Sequence, residues 1–281
     1  VHVQRWTAFA DDPEAGNPAG VVVDDALPDD ATMLRVAADV GYSETAFLAP
    51  VAGVDATWHV RYVAPAAEVP FCGHATIAAG VALRDADPGL ARAVLRTRRV
   101  GDVALDLAEV DGAPLATLSS PPAHGTPLVD DDLRALLGLF GLGRGDLDAR
   151  LPLEVAHAGA DHPVLPLVDR ATLAAMDYRF GDLRDLCVAR GWTTVALVHR
   201  LDTATWHARN AFPAGGVVED PATGAAAAAF GGLLRRHGLL PADGRVTVHQ
   251  GHDMGRPSRL LVDASGSAGV RVSGTAVRIA A

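Results

Sequence analysis

The chain has 281 residues, 49% of them hydrophobic, enough for one large domain or two modest ones with a well-filled core. Asp and Glu number 34 against 24 Lys and Arg, and the formal charge of -10 argues against nucleic acid or an anionic membrane surface as a partner. Two cysteines, Cys72 and Cys187, without C-x-x-C spacing give neither a disulfide framework nor a thiolate zinc motif.

In chain order, the opening "VHVQRWTAFA" carries no basic stretch followed by an apolar one, and no apolar run approaches the ~18 residues of a membrane span, so a reducing cytoplasm is the expected location. "DDATMLRVAADVG" (29–41) reads as a helix, and "TWHVRYV" (57–63) as a strand with Trp58, Val60 and Tyr62 on one face. A small-residue helix follows in "HATIAAGVALRD" (74–85). "VALDLAEVDGAPLATLSS" (103–120) predicts a hairpin turning at Asp111-Gly112. Further helices are expected in "DDDLRALLGL" (130–139), across "ATLAAMDYRFGDLRDLCVARG" (171–191) and in "TGAAAAAFGGLLRRHG" (223–238). The closing "GVRVSGTAVRIA" (269–280) predicts a hairpin turning near Gly274.

Laid side by side, the two halves each run through strands into a glycine-led small-residue helix, led by Gly73 and by Gly224, and out through strand hairpins. The seam falls in "SSPPAHGTP" (119–127), whose paired prolines continue neither a helix nor a central strand. This predicts domains over 1–119 and 120–281, with the pairing of the last strand open between its own half and the first.

The chemistry points to the two helix starts. A helix N-terminus leaves unpaired N–H groups and a partial positive charge, and so receives a carboxylate or a developing enolate without a lysine. Packing alone also accounts for alanine-rich helices. Before the second helix, "GGVVEDPATG" holds Glu219 and Asp220; Asp220 is either a capping acid or a base favoured by the dipole. In "GYSETAFLAP", Glu44 is either solvated at a strand end or sheltered where it can take a proton from one carbon and return it to another. His74 is a donor or proton shuttle, or simply a satisfied polar group; Cys72 is a thiolate acid/base or a small apolar filler. The remaining histidines, including those of "VTVHQGHDMGRPSR", lack H-x-x-x-H and H-E-x-x-H spacing, and the phosphate-loop, dinucleotide and nucleophile-elbow motifs are missing, so neither a metal nor a cofactor is expected.

"FADDPEAGNPAGVVVD", "YSETAFL", "RYVAPAAEVPFCGHATIAAG", "EDPATGAAAAAFGGLL" and "HQGHDMGRPSRL", in this order, resemble the PhzF-like isomerases of phenazine biosynthesis, in the diaminopimelate-epimerase fold superfamily. The resemblance implies an α/β (α+β) fold of two pseudo-symmetric domains, each a curved, mostly antiparallel sheet or barrel around a central helix, with the active site in the cleft between them. It implies a cofactor-independent proton shift of the trans-2,3-dihydro-3-hydroxyanthranilate type on a small carboxylate-bearing substrate, and a homodimer. Glu44 stands at the acid/base position of the S-E-T motif, His74 at the histidine of G-H, and Asp220 at the aspartate of D-P-A-T-G. Cys72, Gly73, Ala75, Thr223, Gly224 and Ala225 are expected to line the substrate site.

Two positions depart from the pattern. The family's D-P-A-T-G is usually followed by serine, here Ala225, which removes one hydrogen bond to the substrate. Cys72 stands where the superfamily's epimerases carry one catalytic cysteine, while their second is replaced around Asp220. Two other readings therefore stand beside the isomerase: an epimerase pairing Cys72 with Asp220 or Glu44, and a noncatalytic binder of small molecules.

Overall fold

The structure, a computed structural model, describes residues 1–110, 112–267 and 269–280. The chain divides into two compact units, Val1–Ser119 with Ser273–Ala281, and Ser120–Val272.

The elements up to Ser119 are β1 (Gln4–Ala8), β2 (Asn17–Val23), α1 (Asp30–Val40), β3 (Thr45–Pro50), β4 (Thr57–Val63), β5 (Glu68–Val69), α2 (Gly73–Ala86), β6 (Arg92–Arg96), β7 (Asp102–Val110) and β8 (Ala113–Ser119). From there the chain forms β9 (His124–Pro127), α3 (Asp130–Phe140), β10 (Glu154–His157), β11 (Asp161–Leu167), α4 (Arg170–Ala174), α5 (Phe180–Arg190), β12 (Val195–Arg200), β13 (Thr205–Ala211), β14 (Glu219–Asp220), α6 (Gly224–Arg236), β15 (Arg245–Gln250) and β16 (Ser258–Asp263). The last strand, β17 (Arg271–Arg278), pairs antiparallel with β1, Trp6 opposite Arg278.

In the first unit β1–β2, β3–β4, β6–β7 and β7–β8 are antiparallel, whereas β2–β3 and β4–β6 are parallel. β17 bridges β8 and β1 and closes the sheet into a barrel. Parallel neighbours require a crossover, and the two crossovers supply α1 and α2. α1 covers the outside, burying Met33 and Ala37 with Val22, Phe47 and Val63. α2 runs inside, with every residue from His74 to Leu83 buried, which explains its small side chains.

The second unit repeats this order. β10–β11, β12–β13 and β15–β16 are antiparallel, and β11–β12 and β13–β15 are parallel. α6 is its inner helix, buried from Ala226 to Leu234. A Cβ on Gly231 would lie 2.6 Å from Val262 Cγ1, so the helix meets its wall with no room for a side chain there. Outside, α3 and α5 bury Leu133, Leu136, Leu183 and Cys187 against Leu165 and Leu197.

Two sequence expectations are corrected. The helical pattern over 171–191 breaks into α4 and α5, and the Arg209 guanidinium takes the Ala174 carbonyl at 2.8 Å where α4 ends. The expected hairpin around Gly274 is one continuous strand, β17. Gly274 answers a close approach instead of a turn, since a Cβ there would stand 2.3 Å from the ring of Phe9. The β7–β8 hairpin forms as expected, with Val110 opposite Ala113; Asp111 of its proposed turn lies outside the described residues. Among the described residues, no helix is long and apolar enough to cross a membrane.

Candidate active site

Among the described residues, α1 and α4 carry aspartate caps, Asp29 and Asp169, and α3 and α5 carry acids in the first turn. The two inner helices have neither. Their N-terminal N–H groups and the positive ends of their dipoles are left uncompensated by any carboxylate of their own first turn.

At the start of α2, Cys72 is the extended residue before the helix, and its carbonyl accepts from Thr76 N at 3.0 Å and from Thr76 Oγ1 at 2.7 Å. The threonine hydroxyl has one proton, so the buried Tyr62 hydroxyl, 2.6 Å away, donates to Thr76 Oγ1. Burial pushes the Tyr62 phenol well above its ordinary range and keeps it a donor. This chain of donors fixes the backbone that presents Cys72, Gly73, His74 and Ala75.

His74, 7% exposed, has Cys72 Sγ at 3.3 Å from Nδ1, and Ser43 Oγ at 3.3 Å and Glu44 Oε2 at 3.4 Å from Nε2. Glu44 ends the loop into β3, its side chain 16% exposed. Its Oε2 atom is fully buried and has no hydrogen-bond partner among the described residues. Carboxylate and thiol both contact the imidazole, the carboxylate at Nε2 and the thiol beside the ring, so that an acceptor, a titratable ring and a weak acid stand together. Glu44, Cys72 and His74 also form the one group of three among the described residues whose ligand-type atoms all lie within 4.8 Å of one another.

At the start of α6, Thr223 precedes the helix without capping it: its hydroxyl donates to Asp220 Oδ2 at 2.5 Å. The orienting group is Gln250, 1% exposed at the end of β15. Its Oε1 accepts from Thr223 N at 3.1 Å, and its Nε2 donates to the Asp220 carbonyl at 2.6 Å and to Thr223 Oγ1 at 3.0 Å. The amide is locked in one orientation, and with the acceptor side of the Thr223 hydroxyl filled, its proton can only point at Asp220. Gly224 is buried, and Ala225 is partly exposed in the first turn.

Each inner helix is entered through a short strand held by an arginine. Arg61 on β4 grips Glu68 of β5 through Nε at 2.9 Å and Nη2 at 2.5 Å, and reaches Asp30 through Nη1 at 2.5 Å. The guanidinium holds the Glu68 carboxyl below its ordinary range. Arg209 on β13 grips Glu219 of β14 in the same way, with Nε at 3.0 Å from Oε1 and Nη2 on Oε2.

The expected site residues therefore fall into two sets. Glu44, Cys72, Gly73, His74 and Ala75 gather at one helix start, and Asp220, Thr223, Gly224 and Ala225 at the other. Sequence reasoning missed Ser43, Gln250 and the two Arg–Glu grips. Gln250 had a readable signal: in "RVTVHQ", Val246, Val248 and Gln250 alternate onto the buried face, where an amide must find partners.

The comparisons with known proteins agree with this architecture. A profile described as "Phenazine biosynthesis-like protein" matches residues 6–281. A trans-2,3-dihydro-3-hydroxyanthranilate isomerase of Pseudomonas fluorescens is 34% identical over 282 residues, covering 96% of this chain and 94% of its own. An uncharacterized isomerase of Deinococcus radiodurans is 33% identical over 275 residues, covering 96% and 87%. The crystal structure of a Bacillus anthracis phenazine biosynthesis protein of the PhzF family superposes with a TM-score of 0.87 at 23% identity, covering 99% of this chain and 96% of that one, and shares the diaminopimelate-epimerase-like fold. With a family profile spanning nearly its whole length and named isomerases at a third identity, the chain belongs to the phenazine biosynthesis-like PhzC–PhzF family and is an isomerase.

Proposed function

We propose that this isomerase moves a proton between carbon atoms of a small carboxylate-bearing substrate of the trans-2,3-dihydro-3-hydroxyanthranilate type, with Glu44 as general base and then general acid. The observation that carries the reading is the buried Glu44 Oε2, without a hydrogen-bond partner among the described residues and 3.4 Å from His74 Nε2, next to a helix start that has no acid of its own. A base that is sheltered yet unsatisfied is available to a substrate proton, and uncompensated N–H groups suit the negative charge that develops as the proton leaves. His74 steadies or relays the proton. For Asp220 we propose a substrate-orienting role, and for Gly73, Ala75, Thr223, Gly224 and Ala225 contact with substrate; where the family has serine, Ala225 leaves a substrate group to water, which favours a substrate variant lacking that group.

The test is Glu44→Gln, expected to lower turnover ~10²- to 10⁴-fold with the fold intact, as befits a positioned acid/base. Turnover in deuterated water is expected to place deuterium on carbon in the wild type. A variant as fast as wild type, or a substrate bound without any carbon exchange, would remove Glu44 or catalysis itself from the reading. A second reading, an epimerase with Cys72 as one of two bases, is favoured by the 3.3 Å contact of its Sγ with His74 Nδ1. Stereochemical inversion that Cys72→Ala abolishes would select it. We further propose a homodimer in the cytoplasm, checked by sedimentation of the purified chain and by cell fractionation.

A further inference from the structure

We propose that Glu44, Cys72 and His74 bind a thiophilic divalent cation, Zn2+ foremost, and that the bound ion switches the isomerase off. The switching half rests on the proposed role of Glu44; the binding half stands on the geometry alone.

The donor set is one carboxylate oxygen, one imidazole nitrogen and one sulfur, all within 4.8 Å of one another. A tetrahedral zinc site with Zn–N and Zn–O near 2.0–2.1 Å and Zn–S near 2.3 Å has an N···O edge of about 3.3 Å and an S···N edge of about 3.6 Å. His74 Nε2 stands 3.4 Å from Glu44 Oε2 and 3.8 Å from Cys72 Sγ, close to both. The sulfur also lies 3.3 Å from Nδ1, and so sits beside the ring instead of along a nitrogen lone pair. Loading therefore turns the Cys72 side chain about χ1 toward the ion.

A sulfur ligand beside imidazole selects Zn2+ over Mg2+ and Ca2+, which prefer oxygen alone. Three protein ligands leave a fourth position for water, the pattern of an open site and not of a structural one. Charge also favours occupation. A thiolate and a carboxylate neutralise the dication, so no net charge is buried, and the Glu44 oxygen that lacks a hydrogen-bond partner gains one strong contact. The thiol proton leaves to solvent as the ion binds, so affinity rises with pH. The positive end of α2 opposes the cation but favours the thiolate, and the site is expected to be weaker than a four-ligand one. Sequence spacing hid this set because Glu44 arrives from the loop before β3 and the C-x-H pair from the start of α2.

Titration calorimetry of the full chain with ZnCl2 is expected to give one ion per chain with Kd on the order of micromolar. Cobalt(II) should show a thiolate charge-transfer band, and chelation should restore any lost activity. Cys72→Ala is expected to weaken binding by at least about 100-fold, beyond the cost of removing an outer partner. A measurement free of variants is slow alkylation of Cys72, 6% exposed, by a small reagent, which zinc should slow further; Cys187 is no competitor, being 0% exposed with its thiol pushed up to about 11. Absence of binding, binding undiminished in Cys72→Ala, or alkylation unaffected by zinc would overturn the site. If zinc binds as described while Glu44→Gln turns over normally, the catalytic reading fails and the site stands; loss of turnover in Glu44→Gln without zinc binding has the reverse meaning.

Discussion

The two inner helices begin in the same way and end their resemblance at the side chains. Aligned by strand order, Arg61 and Glu68 correspond to Arg209 and Glu219, Cys72 and Gly73 to Thr223 and Gly224, and His74 to Ala225. The residue just before β3 is Glu44; the residue just before β12 is Thr194. At the first start a thiol, an imidazole and a carboxylate stand in contact, with Ser43 beside them. At the second, an amide fixes the direction of every hydrogen bond, and the position of Glu44 is taken by a threonine that donates to Asn210 at 3.0 Å and accepts from His162 at 2.8 Å. One repeated unit carries a cluster of acid/base side chains in one copy and a network locked by an amide in the other.

That contrast breaks most visibly at Glu44, as the turnover measurement above describes. The matching change in the other copy, Thr194→Val, touches no acid or base proposed to move a proton. It should leave turnover within about tenfold while costing about 1–3 kcal/mol of stability in chemical denaturation, because His162 and Asn210 lose a buried partner. A loss of turnover in Thr194→Val as large as in Glu44→Gln would erase the distinction.

Acid sharpens the same comparison. Burial holds the His162 imidazole down at about 4 against its ordinary 6.5, and its Nε2 has no hydrogen-bond partner among the described residues. Above pH 6.5 the folded and unfolded chains both carry this histidine neutral, and it adds no pH dependence. As pH falls from 6.5 to 4 the unfolded chain takes the proton and the folded chain refuses it, so stability is lost progressively, by up to about 3 kcal/mol. His207, also held at about 4 by burial, pulls in the same direction. Urea midpoints of the second unit should therefore drop between pH 6.5 and 4.5, and less so in His162→Gln; equal slopes in the two proteins would contradict the assignment.

Much of this was legible in the sequence wherever a local rule agreed with the tertiary structure. Small residues after Gly73 and Gly224 announce helices that must fit inside a barrel, and Asp29 and Gly41 bracket α1 as a cap and a left-handed stop. Glu44, His74 and Asp220 could be named because each lies in a short motif. The misreadings arose where a long-range contact overrules local chemistry. Gly274 looks like a turn until the Phe9 ring is known to press on it, and the break between α4 and α5 is terminated partly by Arg209, which comes from β13. The partner of Arg61 and the partners of Gln250 could not be named for a related reason: each contact joins residues whose proximity only the sheet register creates.

Gln250 gives the smallest and most specific effect. Gln250→Glu keeps the shape and the acceptor for Thr223 N, but its carboxylate cannot donate to the Asp220 carbonyl or to Thr223 Oγ1. The Thr223 hydroxyl then has a second anion to serve, and Asp220 shares or loses the proton that Gln250 had aimed at it. A carboxylate that loses a donor is protonated more easily, so if Asp220 must be ionised to orient substrate, the acidic limb of the kcat/KM profile moves to higher pH. The expected change at neutral pH is modest, about 3- to 30-fold and mostly in KM, the range of one or two lost hydrogen bonds. Gln250→Leu, which removes both ends of the amide, should lower stability as well, whereas Gln250→Glu should move the pH profile more than the denaturation midpoint. A purely structural glutamine would reverse that order, with the midpoint shifting and the profile staying where it was.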